Sequence, residues 1–347
     1  MTDVDERDRA RSDVDEQDGA PARVVTSTPD PATPTPATPA SPGAVRADEF
    51  ALVQEHGLEI KSRSQWAYAR RRFLRHRLAM ASLVVLVIIL ASGAFAGAIA
   101  PYAYDAQDFT HSEVAPTLKA HHFFGTDILG RDYFSRVLYG IQNSEKIAFL
   151  VAVVSTIIGT LIGAVAGYYG GWIDNLLMRF TDLILTLPGL AVLLTAAAFL
   201  GSGQPMRVAF ILALLFWTQL ARIVRGSFLS LREKEYVEAA KAAGSGDFRI
   251  MFRHMLPNAV GPIVVNATLI VGIAILTEAA LSFLGFGIQP PHASLGKLID
   301  DGQNVASSDW WLVTFPGLTI VLIVLCINFI GDGLRDALDP TQRRTRA

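Results

Sequence analysis

Between two long apolar runs of the chain lies the polar stretch LREKEYVEAAKAAGSGDFRIMFRHMLPN, residues Leu231–Asn258. Its first part, Arg232–Ala243, is rich in residues that favour helices. Gly244 follows, and a glycine suits a helix end at which the backbone takes a positive φ. Asp247 then stands where its side chain can cap a second helix. The stretch therefore predicts two short helices separated by a glycine break.

The second predicted helix is basic and amphipathic. A helix of this kind can lie on an anionic lipid surface, or it can place its apolar face in a groove of a partner protein. The pattern alone leaves both alternatives open. Pro257 ends the pattern and is expected to open the next apolar run. The predicted apolar face, at the spacing i, i+3, i+4 and i+7, consists of Phe248, Met251, Phe252 and Met255.

The polar stretch is one break in a series of six apolar runs. A helix needs about 20 apolar residues to cross the hydrocarbon core of a bilayer, and five of the runs meet that length. The fourth run is shorter and continues into Arg222 and Arg225, whose side chains would have to snorkel to an interface. The six predicted spans are Leu78–Ala100, Ile147–Ile173, Leu183–Met206, Val208–Ala221, Met255–Thr277 and Trp310–Gly331.

The composition agrees with a membrane protein. Hydrophobic residues make up 51% of the chain and charged residues 18%, whereas soluble domains carry about 25% charged residues. We therefore predict an all-α, polytopic fold with six transmembrane helices in a lipid bilayer. The single cysteine, Cys326, lies in an apolar run, which excludes a disulfide or a cysteine-based metal site within the chain. No phosphate-binding G-x-x-x-x-G-K-[ST] loop occurs, so nucleotide chemistry would have to come from another chain.

The positions of lysine and arginine predict the orientation. A basic segment, Lys61–Arg77, precedes the first span, and Arg222–His254 between the fourth and fifth spans is also basic. The positive-inside rule places both segments, and with them both termini, in the cytoplasm. Six spans and two cytoplasmic termini agree in parity.

Two carboxylates lie in or beside predicted spans. Glu278 falls late in the fifth span, and an intramembrane carboxylate is a functional candidate because it is costly to bury. About 20 residues of helix separate it from the cytoplasmic end, so gating or packing and simple exposure at the outer interface both stay open. Asp182 follows Arg179 by three residues, which predicts a local charge pair near the interface; gating or packing is its alternative role.

The stretch before the second span carries several charged residues close together. Metal binding is conceivable there, because two histidines stand beside the carboxylates, but the spacing matches no tight metal site. A structured external loop is the interpretation that we favour. The residues concerned are His121, His122, Asp127, Arg131 and Asp132.

The polar stretch resembles the EAA loop of permeases from ABC importers. In that family the loop lies between two spans on the cytoplasmic side and docks into a cleft of the ATPase subunit. The match consists of the acidic-Ala-Ala triplet, a glycine and a later Leu-Pro pair at the family's spacing. The matching residues are Glu238, Ala239, Ala240, Gly244, Leu256 and Pro257.

Four further stretches are similar to the permeases of dipeptide, oligopeptide and nickel importers, and to the second, C-type subunit of the pair. They are FLRHRLAMASLVVL (Phe73–Leu86), HFFGTDILGRDYFSRVLYG (His122–Gly140), LSFLGFGIQPP (Leu281–Pro291) and GDGLRDALDP (Gly331–Pro340). The resemblance covers roughly residues 70–343. A long Pro-rich acidic tail at the N-terminus departs from the simplest members of the family.

The resemblance implies the type I importer permease fold, also called the MetI-like fold, in a bacterial cell membrane. It implies ATP-driven import of dipeptides or oligopeptides, with nickel or another small solute as the alternative cargo. The implied partners are a homologous second permease, two ABC ATPase subunits or one two-domain ATPase, and an extracytoplasmic substrate-binding protein, with no nucleic acid. ATP and Mg²⁺ would be bound by the ATPases, so this chain is expected to bind no cofactor or metal and to have no catalytic residue.

The expected domain organisation and site residues follow from the same resemblance. Residues 1–60 are predicted to be a disordered, Pro-rich, acidic cytoplasmic tail, because they cannot bury enough apolar surface to fold. The remaining parts are a basic segment with the first span (61–104), an extracytoplasmic loop (105–145), a five-helix ABC permease core (146–334) with its coupling loop (231–258), and a cytoplasmic C-terminal tail (335–347). The residues implied in ATPase coupling are Glu238, Ala239, Ala240, Gly244, Asp247, Phe252, Leu256 and Pro257.

Two other classes of function are less compatible with the sequence. A self-contained secondary transporter or channel should show internal repeats and ionisable residues near the middle of the bilayer. The chain shows no convincing inverted repeat, and its spans are almost free of central charges. A membrane-embedded enzyme finds no support in any metal motif or arrangement of a nucleophile.

Overall fold

The structure is a computed structural model that describes residues 65–118, 121–201, 203–290 and 292–338. The predictions for the tail 1–60 and for the last part of the C-terminal tail, 339–347, lie outside the described residues. Within those ranges the named secondary-structure elements are all helices, as the sequence predicts. The helices are α1 (Gln65–Arg75), α2 (Arg77–Ala94), α3 (Ala96–Ile99), α4 (Tyr133–Tyr169), α5 (Gly171–Thr186), α6 (Gly189–Leu200), α7 (Pro205–Arg232), α8 (Glu235–Ala242), α9 (Asp247–Phe283), α10 (Leu295–Gly302) and α11 (Trp311–Leu338).

Five helices of the described ranges are long and apolar enough to cross a bilayer, namely α2, α4, α7, α9 and α11. The pair α5 and α6 passes the same test when both are taken together, which allows a sixth span. The all-α, polytopic prediction is therefore confirmed, and the span count is consistent with it. The fourth span is longer than predicted, because α7 continues through Arg222 and Arg225 as a helix of 28 residues.

The third predicted span, Leu183–Met206, is not one straight helix. Helix α5 ends at Thr186, and α6 leaves it at an angle of 85°. Leu187 is extended, with φ −74° and ψ 138°, and Pro188 follows at the N-cap of α6. A proline disfavours helical geometry in the residue before it and lacks a backbone donor. Pro188 therefore accounts for the break between α5 and α6.

Helices α4 and α7 pack closely along a row of three glycines, Gly159, Gly163 and Gly167. A Cβ at Gly159 would lie 2.7 Å from the carbonyl oxygen of Trp217, and one at Gly167 would lie 2.6 Å from the Cβ of Phe228. Any larger residue at these positions would push the two helices apart. Small residues in such a row let two helix backbones approach closely.

At the end of the bundle away from residues 231–258, the segment between α3 and α4 folds against α10 and α11. The hydroxyl of Tyr133 donates a hydrogen bond to the carbonyl oxygen of Leu298 at 2.7 Å. The indole N–H of Trp311 donates to the carbonyl oxygen of Thr126 at 3.2 Å. These bonds join the start of α4 to the hairpin that leads into α11.

Charged residues of this end form a set of ion pairs, which we call the polar cap: His122, Asp127, Arg131, Asp132, Arg136 and Asp301. Four of them are buried, Arg131 is half-buried and Asp301 is exposed. The carboxylate of Asp127 accepts bonds from Arg131 Nε at 2.7 Å and from Arg136 Nη1 at 2.8 Å. Arg136 Nη2 also contacts Asp301 at 3.3 Å. His122 Nδ1 lies 2.9 Å from Asp132 Oδ1. The stretch is therefore structured, and its charges are paired with one another.

Candidate functional site

The candidate site is the coupling segment, residues 231–258, which joins α7 to α9. Its first helix, α8, ends in a pattern of two backbone hydrogen bonds, from Ser245 N to Ala240 O at 3.1 Å and from Gly244 N to Lys241 O at 2.9 Å. This pair of bonds is the Schellman motif, and it requires a left-handed residue after the helix. Gly244 supplies that residue, with φ +75°. The predicted glycine break is confirmed.

Gly244 is required for its conformation and not for space. A Cβ built on it would meet nothing within 4 Å. An L side chain at φ +75° would nevertheless be strained, because its Cβ approaches the following carbonyl oxygen.

The second half of the segment differs from the prediction in two ways. No separate second helix forms, because α9 starts at Asp247 and continues without a break to Phe283. Asp247 is also not a capping residue, since Gly246 occupies the N-cap position. The Asp247 carboxylate is turned instead towards the end of α4, where its Oδ1 accepts a hydrogen bond from the hydroxyl of Tyr168 at 2.6 Å.

A π-helical turn, Ile250–Met255, lies inside this part of α9 and changes the predicted apolar face. Met251 and Met255 are buried in the chain's own core, where lipid or a partner's groove was expected to cover them, and Phe248 is 72% exposed. Ile250, which the α-helical spacing did not select, is completely buried. A π-turn holds more residues than an α-turn, so the residues before it rotate relative to those after it. Pro257 follows the turn and, having no N–H, cannot continue the regular ladder there.

The residues implied in coupling differ in exposure. Glu238 and Ala239 of α8 are exposed, Ala240 is half-buried, and Gly244, Asp247 and Pro257 are exposed. Phe252 and Leu256 are half-buried and pack against the core. The surface of the segment is therefore a short helix with small residues and an acidic one, beside the exposed ring of Phe248.

Two further contacts, which sequence reasoning missed, hold α8 in place. Val237 is completely buried beneath the helix and belongs to the hydrophobic core. Asn258 Nδ2 donates to the hydroxyl oxygen of Tyr236 at 3.3 Å. Burial raises the pKa of Tyr236 above its ordinary value. The apolar Val237 within an otherwise mostly polar helix is the feature of the sequence that could have predicted this contact.

Two ion pairs link α5 to α7, the helix that leads into the coupling segment. Asp174 accepts a two-pronged bond from Arg225, with Nη2 at 2.6 Å from Oδ2. Asp182 pairs with Arg222, and the predicted local pair with Arg179 is wrong. Arg222 and Arg225 project from α7 towards α5, where carboxylates of α5 pair with them. A long apolar helix can therefore contain both arginines because their charges are paired, and not only because their side chains can snorkel to an interface.

Glu278 lies inside the protein, so exposure at the outer interface is excluded for this chain. Its side chain is completely buried. The hydroxyl of Ser144 on α4 donates to Oε2 at 2.8 Å, and that of Ser282 on α9 donates to Oε1 at 2.7 Å. Ser282 in turn accepts from the backbone N–H of Ile288 at 3.0 Å. Glu278 thus joins α4, α9 and the loop after α9; a gating or packing role stays a prediction.

A cavity of about 470 Å³ opens beside the bend between α5 and α6 and is also lined by α7 and α9. Most of its lining is aliphatic, as at Leu190 and Ile273. The polar side chains in it are uncharged and belong to Thr218, Gln219 and Thr277. Among the described residues, no group of three or more His, Cys, Asp or Glu side chains is arranged to hold a metal ion.

Comparison with known proteins agrees with this architecture over most of the chain. Residues 159–344, more than half of the chain, match the family described as binding-protein-dependent transport system inner membrane component. Residues 64–116 match the N-terminal TM domain of oligopeptide transport permease C. The first of these matches includes the whole coupling segment.

Three relatives illustrate the similarity. The oligopeptide transport system permease protein OppC of Escherichia coli K12 is 44% identical over 287 residues, 82% of this chain and 94% of that protein. OppC of Mycobacterium bovis is 43% identical over 277 residues, 80% of this chain and 94% of that protein. The dipeptide transport system permease protein DppC of Alkalihalophilus pseudofirmus is 38% identical over 281 residues, covering 81% and 91%. The chain therefore belongs to the family of binding-protein-dependent transport system inner membrane components and is a multi-pass membrane permease of that family.

Proposed function

We propose that the chain is one of two permease subunits of an ATP-driven importer of dipeptides or oligopeptides. The observation that carries the proposal is the coupling segment, an exposed short helix and glycine break set between two membrane-spanning helices. Relatives named for oligopeptide and dipeptide transport support peptide as the cargo. Nickel or another small solute is the alternative cargo.

ATPase subunits would dock on the coupling segment from the cytoplasm. Glu238 and Ala239 are exposed, and the small side chain of Ala239 lets another protein approach the helix closely. Phe248, with 72% of its surface exposed, offers an aromatic anchor of the kind that dominates protein interfaces. ATP and Mg²⁺ would be bound by those subunits. Both termini would lie on the same cytoplasmic side, as the positive-inside rule predicts.

A second permease would cover the face that carries the cavity. Gln219 lies near the middle of α7, a helix of 28 residues, and its side chain is exposed on this face. A side-chain amide that faced lipid tails would lose its hydrogen bonds to water at a cost of several kcal/mol. Protein or a water-filled path is therefore the more favourable neighbour. We place the second permease and the shared cargo path on this side of the chain.

Transport would follow from an alternation between inward-open and outward-open arrangements. Closure of the ATPases on ATP would move the coupling segments, and the segments would displace the bundles as rigid bodies. A substrate-binding protein would deliver the peptide at the opposite face of the membrane. The chain's own contribution is to transmit movement and to line half of the path.

The test is purification of the tagged chain from its own membranes in mild detergent, followed by reconstitution of the recovered complex into liposomes. We expect a second permease and ATPase subunits with phosphate-binding loops in the complex. We also expect uptake of labelled di- or oligopeptides that needs the binding protein and ATP. Labelled nickel in the same vesicles is the control for cargo class. Transport by the chain alone without ATP would overturn the proposal in favour of a secondary transporter.

A further inference from the structure

Tyr168 lies at the end of α4 and touches the coupling segment at three places. Its hydroxyl donates to Asp247 Oδ1 at 2.6 Å. Its ring lies under the ammonium group of Lys241, with Nζ 5.7 Å from the ring centroid. Its carbonyl oxygen accepts a bond from Arg232 Nη1 at 3.3 Å. One residue of α4 thus contacts the end of α7, the helix α8 and the start of α9.

These contacts are of kinds that resist displacement. The hydroxyl–carboxylate bond involves an ionised acceptor, and such bonds are shorter and stronger than neutral ones. A cation above an aromatic ring adds attraction that grows as the pair loses contact with water. Tyr168 itself is only 7% exposed. A movement of Asp247 or Lys241 therefore has to carry the ring with it or break these bonds.

Helix α4 reaches the other end of the bundle as one unbroken element. It contains 37 residues, which is about 55 Å of helix at the usual rise. Near its start, Tyr133 is bonded to Leu298 of α10, and further along Ser144 is bonded to Glu278. The same helix therefore holds the coupling segment at one end and the residues around α10 at the other.

Tyr168 is not what keeps the coupling segment folded. Helix α8 is held by the buried side chain of Val237, and its end by the backbone bonds of the Gly244 turn. Asn258 and Tyr236 join the two halves of the segment directly. Loss of the Tyr168 hydroxyl should leave these contacts in place, because none of them involves it.

We propose that Tyr168 is a positioning residue that passes movement of the coupling segment to α4, through its bond to Asp247. The proposal rests on the proposed function, in which ATPases dock on that segment. Tyr168 does not meet the ATPase or the cargo in this scheme. It acts by keeping the start of α9 and the end of α4 together when the segment moves.

The experiment compares single-hydroxyl deletions in the complete complex in liposomes, with ATP hydrolysis and peptide uptake measured in the same vesicles. For Tyr168→Phe we expect hydrolysis within about twofold of wild type and a roughly tenfold fall in peptide taken up per ATP, the size of effect that one charge-assisted hydrogen bond can account for. Tyr169→Phe is the matched control: it removes the same group from the neighbouring residue, which is 46% exposed. The ratio of peptide taken up to ATP hydrolysed should equal that of wild type.

Variants of the partner residue separate the hydrogen bond from the charge. Asp247→Asn keeps an oxygen that can accept from the tyrosine hydroxyl but removes the charge, so its uptake per ATP should lie between that of wild type and that of Asp247→Ala. Asp247→Ala removes the acceptor and should resemble Tyr168→Phe. The double variant should fall no further than either single one, because both remove the same interaction.

The outcomes distinguish this proposal from the proposed function. If the wild-type complex takes up no peptide with ATP, the proposed function fails and the role of Tyr168 falls with it. If wild type is coupled but Tyr168→Phe keeps its ratio, or the double variant falls additively, only the role of Tyr168 is wrong. If Tyr168→Phe does not fold, Asp247→Asn and Asp247→Ala decide, and equal ratios in these two variants would overturn the proposal.

Discussion

The two ends of the helix bundle differ in whether their charged side chains are buried or exposed. In the polar cap, Asp127 and Arg136 are each 5% exposed and are bonded to each other at 2.8 Å. In the coupling segment, Glu238 and Arg249 are exposed. A buried charge is tolerated only with partners inside the chain, whereas an exposed one is available to another protein. The polar cap is held by bonds within the chain, whereas the coupling segment leaves charges at its surface, as the proposed docking of an ATPase requires.

The largest expected effect is the loss of a buried charge from the polar cap. Arg136→Ala removes the cation that Asp127 and Asp301 share and leaves them with Arg131 and Lys297, respectively. Removing one member of a buried ion pair costs up to about 3–5 kcal/mol. Since domains are stable by only about 5–15 kcal/mol, we expect a much lower unfolding temperature and a smaller yield of folded protein. Thermal unfolding in detergent and the yield of monodisperse protein measure it.

The control for Arg136 is the same substitution at the exposed end. Arg249→Ala should change the free energy of unfolding by less than about 0.5 kcal/mol, as exposed substitutions usually do. Equal unfolding temperatures for the two variants would break the comparison between the two ends.

A charge reversal in the coupling segment should have the next largest effect, and on transport instead of folding. Glu238→Arg places a cation on the exposed surface at which we propose that the ATPase docks. We expect uptake to fall by more than about tenfold, the order of a lost interfacial charge contact. The protein should still insert in the membrane and unfold at nearly the wild-type temperature. Peptide uptake and ATP hydrolysis by the reconstituted complex measure it.

The matched control for this variant is Glu235→Arg. Glu235 is also exposed and also lies in the first turn of α8, where an acidic side chain favours the helix through its dipole. Both reversals lose that interaction, but Glu235 is not part of the triplet that matches the family loop. Equal losses of uptake would show that the helix as a whole, and not Glu238, makes the contact.

A smaller effect, on stability, is expected at Glu278. Like the buried residues of the polar cap, it has its partners inside the chain, although it lies in α9. Glu278→Ala leaves the hydroxyls of Ser144 and Ser282 without their acceptor and creates a void, at a cost of about 2–3 kcal/mol. Glu278→Gln keeps the shape and one acceptor oxygen, so it should cost less. Unfolding in detergent ranks the two. If the Ala variant is as stable as wild type, the serine bonds contribute nothing to packing.

Much of the fold follows from the sequence, because its signals are local. Runs of about 20 apolar residues predict spans whatever they pack against, and the glycine row Gly159–Gly167 predicts a close helix pair. The predictions failed where a neighbouring element decides the outcome. Asp182 has a cation three residues away in sequence, yet Arg222 of α7 is its partner. Leu183–Met206 reads as one apolar run, and Pro188 divides it.

The site was predictable to a similar extent. The triplet, the glycine and the Leu-Pro pair identify the coupling segment in the sequence. The turn at Gly244 could also be predicted, because it depends on the conformation of that one residue. The π-turn before Pro257 was not predictable from periodicity, and it is the reason why Phe248 is exposed and Ile250 is buried. The bond from Tyr168 to Asp247 joins residues far apart in sequence, and no spacing rule reports such a contact.

The smallest expected effect concerns that turn. Gly244 has φ +75°, and an L residue forced into this region costs about 1–2 kcal/mol. Gly244→Ala should therefore loosen the end of α8 and lower peptide uptake several-fold, while the membrane helices stay folded. Hydrogen exchange of the amides at positions 244 and 245, compared between the variant and wild type, measures it together with uptake, since these amides close the turn in wild type.

Gly246→Ala is the matched control, two residues further along the same exposed turn. Gly246 has φ −68° and ψ 151°, which any L residue adopts, and a Cβ there would meet nothing within 4 Å. This variant should leave both exchange and uptake close to wild type. If the two alanine variants behave alike, the positive φ at Gly244 does not limit coupling, and the segment tolerates more change in shape than its contrast with the polar cap implies.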